Sequence, residues 1–315
     1  MLVLVTGATG FLGRRVVPAL LERHHQVRCL VHTPGRERVF PPRTVDIQYG
    51  DVLDPDAVAG AFDGVDAVVH LVGTIRRSNR STYDQVNRRG AANVVAAANE
   101  AKVKHLVFVS AIGATDNTSY PYLYSKWQGE QLVVKSGLPY TVVQSSIIFG
   151  PGDEFLNTIA AMVKILPVLT VAGSGRNRLQ PIDVEDLARC IATAVDREEL
   201  KGKTIELGGP QQLTFNEILT IVARTMGKRR LKIHLPVWLM FLATWSMQVL
   251  PRPPITLDQL RLLPIRNVAE PDSVMDNFGF TPKTVEGNID YVSLLTTRDA
   301  ASILTGEMPN RIRDH

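Results

Sequence analysis

Apolar and polar positions alternate along the first half of the chain with two different periods. Six short apolar runs rich in β-branched residues favour strands, at residues 2–6, 26–32, 45–49, 67–71, 105–110 and 140–145. Amphipathic stretches with helical spacing lie between them, near residues 11–24, 55–63, 83–101 and 122–137. Because strands and helices alternate at this spacing, we predict an α/β fold with a doubly wound parallel sheet.

The alternation loosens after the segment Gly150-Pro151-Gly152. A helix is predicted near residues 153–166 and a strand near residues 204–207. A further helix opens at Thr214, where Glu217 completes a capping box. We therefore predict three regions, which are a large domain over residues 1–150, a smaller C-terminal α/β lobe interleaved with it over residues 151–295, and a polar tail over residues 296–315.

Composition narrows the classes of function. The net charge of +4, without a long Lys/Arg block, argues against nucleic acid as a partner. Cys29 and Cys190 stand beside apolar runs, which predicts buried free thiols in a reducing compartment and neither a disulfide nor a metal site. Because Met1 leads directly into a predicted strand, we expect no signal peptide and a cytoplasmic location.

One later segment, residues 235–250, is apolar and carries no charge. It is about 16 residues long, short of the roughly 20 that a membrane-spanning helix needs. We expect a buried helix of the C-terminal lobe, ended by Pro251, Pro253 and Pro254. The alternative, a helix that contacts a membrane surface or a membrane complex, stays open, so the protein is expected to be soluble or peripherally associated.

Three glycines follow the first predicted strand with the spacing Gly7-x-x-Gly10-x-x-Gly13. Gly7 permits a tight turn, Gly10 lets the backbone approach a pyrophosphate, and Gly13 lets the next helix pack closely on the sheet. The free N–H groups at that helix N-terminus favour phosphate. This pattern identifies residues 1–150 as a Rossmann dinucleotide-binding domain. The cofactor contacts are predicted along the loop, at Gly7, Thr9, Gly10, Phe11, Leu12, Gly13 and Arg14.

The end of the second strand bears on the choice of cofactor. No carboxylate stands at the position that would bind a ribose 2′-hydroxyl, whereas His32, Arg36 and Arg14 could surround a 2′-phosphate. We therefore favour NADP(H) over NAD(H). The alternative is that the arginines are exposed surface residues without a role in cofactor binding. Further cofactor contacts are predicted on the adenine side at Asp51 and Val52, and on the ribose side at Leu71, Val72 and Gly73.

Tyr122 and Lys126 stand four residues apart and so face the same way on a helix. A nearby ammonium group favours the phenolate, so we expect Lys126 to lower the pKa of Tyr122 toward use as a general acid or base. A surface contact without function is the alternative for such a pair.

The motifs together resemble a known family. The glycine loop, Gly50-Asp51, Asn87 in the segment Tyr83–Gly90, and Tyr122-x-x-x-Lys126 are similar to short-chain dehydrogenases/reductases of the extended or atypical kind, over residues 1–295. The segments Val109–Ala114 and Ser125–Glu130 look most like the subgroup of the accessory Rossmann subunit of respiratory complex I. The resemblance implies a nicotinamide cofactor, preferably NADPH, contacted by Asn87 and Lys126, with Tyr122 as proton donor. In complex I that subgroup is not known for turnover.

Two positions depart from the family pattern. Family enzymes usually carry a Ser or Thr hydroxyl that assists the tyrosine, and the corresponding position here is Ala111. Ser110 stands one residue earlier, where a strand side chain points to the other face, so it is an uncertain catalytic substitute. Gln144-Ser145-Ser146 stands where many relatives carry Arg-Pro-Ser, so a cation for a sugar-nucleotide diphosphate is missing.

Three functions stay open: an NADPH-dependent reductase of a small carbonyl substrate, a non-catalytic protein that holds NADPH for structure, assembly or redox sensing within a protein complex, and a sugar-nucleotide epimerase or dehydratase.

Overall fold

The computed structural model describes residues 1–77, 81–247 and 256–313. The strands are β1 (Leu2–Thr6), β2 (Gln26–Val31), β3 (Asp46–Tyr49), β4 (Ala67–His70), β5 (His105–Ala111), β6 (Tyr140–Ser145), β7 (Ile148–Phe149), β8 (Val168–Ala172), β9 (Arg178–Leu179), β10 (Ile182–Asp183), β11 (Lys203–Leu207), β12 (Leu213–Thr214) and β13 (Leu231–Leu235). The α-helices are α1 (Gly13–Glu22), α2 (Pro55–Gly60), α3 (Gly90–Glu100), α4 (Pro121–Val134), α5 (Glu154–Ile165), α6 (Val184–Asp196), α7 (Phe215–Thr225), α8 (Val237–Met247), α9 (Leu257–Arg261), α10 (Ser273–Phe278), α11 (Thr297–Leu304) and α12 (Asn310–Arg313). Short 3-10 turns lie at Arg36–Val39, Glu198–Leu200 and Asp290–Leu294, and a π-helical turn at Asp84–Arg89 leads into α3.

The chain separates into two compact units. The first comprises Met1–Ser145 and Val184–Leu207, and the second comprises Ser146–Asp183 and Gly208–His315. The chain thus returns to the first unit at Val184, which brings α6 and β11 to the large sheet.

A seven-stranded sheet forms the centre of the first unit in the described part of the chain, in the order β11-β6-β5-β4-β1-β2-β3. Every neighbouring pair in it is parallel. The predicted α/β doubly wound fold is confirmed, because strand order reverses at β1, where the chain crosses from one half of the sheet to the other.

The two faces of the sheet are covered by different helices. Leu4, Leu30 and Leu106 lie in one buried cluster with side chains of α2, α3 and α4. The alternate positions, such as Val3 and Cys29, are fully buried on the other face, where α1 and α6 pack together. Burial on both faces explains why these strands are continuously apolar.

The second unit has its own core, built around α5, α7 and the short parallel pair β8–β13. Residues 296–313 belong to this core and differ from the expected polar tail. Ala300, Ile303 and Ile312 are buried there, and Thr296 with Asp299 forms a capping box for α11. Their helical spacing on α11 and α12 gives the segment an apolar face; Asp314 and His315 lie outside the described residues.

The apolar segment after β13 forms α8, and the expectation that this helix is buried is wrong. Trp238, Leu242 and Trp245 are 68%, 55% and 65% exposed, whereas Met240 and Thr244 on the opposite side are buried. Residues 248–250 and the prolines at 251, 253 and 254 lie outside the described residues. No helix in the described ranges combines the length and the hydropathy that a membrane span requires.

Candidate functional site

The glycine loop lies between β1 and α1 in the first unit. Gly7 has a φ of 77°, and a Cβ there would lie 3.1 Å from the amide nitrogen of Val72. Gly10 donates its N–H to the carbonyl oxygen of Gly7 at 3.0 Å, and a Cβ on Gly10 would meet that same oxygen at 3.1 Å. At Gly13 an added Cβ would overlap the carbonyl oxygens of Gly7 and Ala8. Gly7 and Gly13 therefore form the turn, and Gly10 presents bare backbone.

The N-terminus of α1 is open for an anion. Leu12 is its N-cap residue and makes no side-chain capping bond, and the first turn carries no acidic residue. Arg14 Nε donates to the carbonyl oxygen of Thr9 at 3.0 Å, which holds the guanidinium group against the loop. The amides of Arg14 and Arg15 donate to the carbonyl oxygens of Gly10 and Leu12. The loop amides before them, the positive end of the helix dipole and a cation are therefore the groups that would meet a pyrophosphate.

Charged groups of both signs meet at the ends of β2 and β3. The exposed His32 places Nε2 3.2 Å from Asp51 Oδ2, and Asp51 Oδ1 accepts from the amide of Leu53 at 2.9 Å. Arg36 is exposed at the start of the 3-10 turn. Sequence reasoning missed Glu37, whose carboxylate accepts from the amide of Gly35 at 2.7 Å and whose pKa is lowered by its backbone hydrogen bonds. The Gly35-x-Glu37 spacing was the signal for this turn.

Val52, expected on the adenine side, is buried after β3. Its carbonyl oxygen accepts from Asn93 Nδ2 at 2.9 Å, and its side chain lies against Gly90 at the start of α3. The segment that contains Asp51 and Val52 is thereby tied to α3.

Three predicted cofactor residues converge where the loop after β4 meets α4. Asn87 Oδ1 accepts from the amide of Thr74 at 2.8 Å, and Asn87 Nδ2 donates to the Thr74 carbonyl at 3.1 Å and to Ser125 Oγ at 2.9 Å. A Cβ on Gly73 would lie 3.3 Å from Lys126 Nζ and 3.5 Å from Asn87 Oδ1. Gly73, Asn87 and Lys126 therefore line one place, and Asn87 fixes the Leu71–Gly73 segment to α4 through its neighbour Thr74.

Lys126 is buried, with 5% of its surface exposed. Its Nζ donates to the carbonyl oxygen of Val109 at 2.8 Å and lies 5.3 Å from the ring centre of Phe108. Burial lowers the pKa of Lys126 to about 8. The ammonium group is thus held beside the end of β5 in surroundings where a negative partner would be strongly favoured.

Tyr122 lies in the first turn of α4, edge-on to Tyr83 with 5.9 Å between ring centres. Burial, with a smaller effect from Tyr83, raises the pKa of the Tyr122 phenol to about 12. This is the opposite of the expected lowering by Lys126: the shift comes from burial and Tyr83, and the Lys126 ammonium group is directed to the Val109 carbonyl. At neutral pH the Tyr122 hydroxyl is therefore protonated.

Ser110 is buried at the end of β5, and its Oγ lies near Glu130 on α4 but makes no hydrogen bond with any described residue. Burial raises the pKa of Glu130, and the nearby Ser110 hydroxyl, the hydrogen bond from Gln144 and the charge of Lys126 partly offset this rise. Glu130 stands eight residues after Tyr122, about 12 Å along the helix axis. Glu130 is therefore more than two helical turns from Tyr122.

His70 is a site residue that sequence reasoning missed. It ends β4, its Nδ1 lies 2.7 Å from Thr6 Oγ1, and its ring stacks on Phe108 at 5.4 Å. Burial, with a smaller effect from Lys126, lowers the pKa of His70 to about 3, so the ring is neutral. A histidine that ends the otherwise apolar run Ala67–His70 was the available signal.

Comparisons with known proteins identify the family of this chain. The model of the NAD dependent epimerase/dehydratase family matches residues 3–208. The ceramide reductase of Caulobacter vibrioides is 31% identical over 239 residues, which cover 74% of this chain and 73% of that protein. The alpha subcomplex subunit 9 of mitochondrial NADH dehydrogenase (ubiquinone) from Arabidopsis thaliana is 28% identical over 279 residues, which cover 82% of this chain and 68% of that protein.

A solved structure of similar fold holds a nicotinamide cofactor. The UDP-glucose 4-epimerase of Thermus thermophilus in complex with NAD is similar with a TM-score of 0.63 and 25% identity, over 75% of this chain and 86% of that one.

Proposed function

The chain belongs to the NAD-dependent epimerase/dehydratase family, as its motifs indicated, and from that premise we propose that it is an NADPH-dependent reductase of a small carbonyl substrate. Binding of a nicotinamide dinucleotide is supported by the family and by the NAD-bound relative. The observation that carries the proposal is the convergence of Gly73, Asn87 and Lys126 beside the helix that also bears Tyr122.

The residues fit such a cofactor. Bare backbone at Gly10 and the uncapped start of α1 would bind the pyrophosphate, and Arg14 would add a cation. The space beside Gly73, which a Cβ would fill, leaves room for a ribose next to Lys126 Nζ. When bound there, NADPH would supply the hydride for the reduction.

Tyr122 and Lys126 supply the proton chemistry. The raised pKa of Tyr122 keeps its hydroxyl protonated at neutral pH, so Oη can donate to a carbonyl oxygen as that oxygen gains negative charge. Lys126, one turn along α4, provides the positive charge that stabilises the resulting phenolate. Because Ala111 offers no hydroxyl and the Ser110 hydroxyl is buried at the end of β5, we expect slow turnover on a restricted set of substrates.

We infer a preference for the phosphorylated cofactor from Arg14 and Arg36, whose guanidinium groups would contact a 2′-phosphate, with His32 as a further hydrogen-bond donor. The carboxylates of Asp51, 3.2 Å from His32 Nε2, and of Glu37 stand at the same strand ends, so the preference depends on the two arginines.

We expect NADPH to bind about tenfold more tightly than NADH at moderate salt, and the Arg36→Ala variant to lose this preference. Lys135→Ala, an exposed cation after α4, is the control that should leave it unchanged. Equal affinity for both cofactors in calorimetry contradicts the assignment.

A screen of aldehydes, ketones and quinones with NADPH tests the reductase. Oxidation of NADPH that depends on Tyr122 supports it. If no substrate is reduced while NADPH binds tightly, a second function is favoured, in which the protein holds NADPH without turnover. The lack of a hydroxyl at Ala111, the burial of Ser110 and the likeness to a respiratory-complex subunit favour that second function.

The third alternative, a sugar-nucleotide enzyme, has less support. Gln144 stands where many such relatives carry arginine, and its Nε2 donates to Glu130 Oε1 at 2.9 Å. The side chain at this position is neutral and already bonded, so it brings no positive charge to a diphosphate.

A further inference from the structure

An apolar stripe runs along the exposed side of α8. Trp238, Leu242 and Trp245 follow the i, i+4, i+7 spacing of one helix face and are all more than half exposed. On the opposite side Met240 and Thr244 anchor the helix to its own unit. Indole rings with an apolar body and one N–H donor are enriched where hydrocarbon meets water.

A cluster of cations precedes the stripe in the chain. Lys228, Arg229 and Arg230 lead into β13, whose Leu231 and Ile233 are 66% and 43% exposed. Lys228 Nζ and Arg230 Nε donate to the backbone carbonyl oxygens of Lys164 and Val163, so these bonds bring no carboxylate to the cluster. Desolvation and the neighbouring charges of Arg230 and Lys164 lower the pKa of Lys228, as expected for crowded positive charge.

The whole stretch carries charge of one sign. From residue 218 to residue 257 the sequence has no Asp or Glu, although it holds six Lys and Arg residues. Arg224 in this stretch pairs with Glu286 at 2.8 Å, whereas no ion pair of Lys228, Arg229 or Arg230 is present among the described residues. The Lys228–Arg230 cluster is therefore suited to a surface of negative charge. A protein partner would usually present both signs at the rim of its interface, whereas an anionic lipid surface presents one.

We propose that α8 and the Lys228–Arg230 cluster, together the α8 surface, dock this protein peripherally on bilayers that contain anionic phospholipid. The stripe enters the boundary between headgroups and acyl chains, and the cations contact phosphate groups. The helix has 11 residues, which suits a position in the plane of the interface.

Sedimentation of the full chain with lipid vesicles tests the proposal. Vesicles of phosphatidylcholine with about one third phosphatidylglycerol should retain the protein, and vesicles of phosphatidylcholine alone should retain much less. High salt should weaken the binding, because exposed charges are screened. The double variant Trp238→Ser/Trp245→Ser, and separately Arg229→Glu, should each lower the partition coefficient about tenfold or more.

Matched controls separate this surface from nonspecific adsorption. Leu294→Ser removes a 64% exposed leucine on a different element, and Arg298→Glu reverses an exposed cation on α11; both should bind vesicles like the parent. NADPH affinity checks that each variant is folded. The proposal is overturned if the parent does not bind anionic vesicles, or if the α8 variants bind them as well as the parent does. It is also overturned if the parent binds neutral and anionic vesicles equally well, because that result would indicate nonspecific apolar adsorption.

Discussion

At the scale of single residues, the buried charge of Lys126 carries a cost to the fold. Its ammonium group is buried beside the Phe108 ring and bonded to one carbonyl oxygen. A pKa lowered from 10.5 to about 8 means that keeping this charge at pH 7 costs the apo fold about 3 kcal/mol. In the proposed function this cost is offset by a bound ribose and the Tyr122 phenolate, which would both use the charge.

Replacement of Lys126 by Met should therefore raise the stability of the nucleotide-free protein by about 1–3 kcal/mol in urea unfolding at pH 7. The same change should weaken nucleotide retention, because Met donates no hydrogen bond. Between about pH 8 and pH 10.5 the unfolded chain binds the Lys126 proton that the folded chain has released. The stability of the parent should therefore rise toward that of the variant over this range. If the Lys126→Met variant is less stable than its parent at pH 7, the buried charge of Lys126 does not destabilise the nucleotide-free fold.

At the scale of elements, the glycine loop joins β1 to α1, and its glycines have different roles. Gly10 has space for a side chain apart from one contact at 3.1 Å, whereas Gly13 has none. The Gly10→Val variant should keep the fold and lose NADPH binding in calorimetry by at least about 100-fold, because the side chain fills the place of the pyrophosphate.

The contrast between the two glycines makes this test specific. Gly13→Val should lose stability outright, because its side chain would overlap two backbone carbonyl groups. Gly64→Ala, with nothing within 4 Å but a φ of 68°, should lower stability slightly and leave NADPH affinity unchanged. If Gly10→Val binds NADPH as tightly as the parent, the cofactor does not bind at the glycine loop.

The elements also show where sequence reasoning was sufficient. Strands β1 and β6 were predicted at their observed bounds: β1 is almost entirely apolar, as expected of a strand buried on both faces, and β6 has the apolar pair Val142-Val143 at its centre. The pattern over residues 83–101 was predicted as one helix, although a π-helical turn at Asp84–Arg89 precedes α3. No periodicity encodes that turn, since the contacts of Asn87 with Thr74 and Ser125 join distant parts of the chain.

At the scale of the whole molecule, the loop glycines, Asn87 and the Tyr122–Lys126 pair could be found from the sequence because family motifs fix their spacing. The direction of the Tyr122 pKa shift and the orientation of Ser110 could not, because burial and side-chain direction depend on packing between strand and helix. The exposure of α8 also escaped prediction, since an uncharged apolar segment looks the same whether it is buried in its own unit or left for a partner.

The central claim is that Tyr122 donates a proton during reduction of a carbonyl by NADPH. The most direct test is to measure kcat for the best substrate of the screen in the parent and in Tyr122→Phe, with Kd for NADPH determined in parallel by calorimetry. Loss of a positioned proton donor should lower kcat by at least about 100-fold while Kd changes little. A variant that turns over like its parent, or a parent that reduces none of the carbonyl substrates while holding NADPH, would contradict the claim.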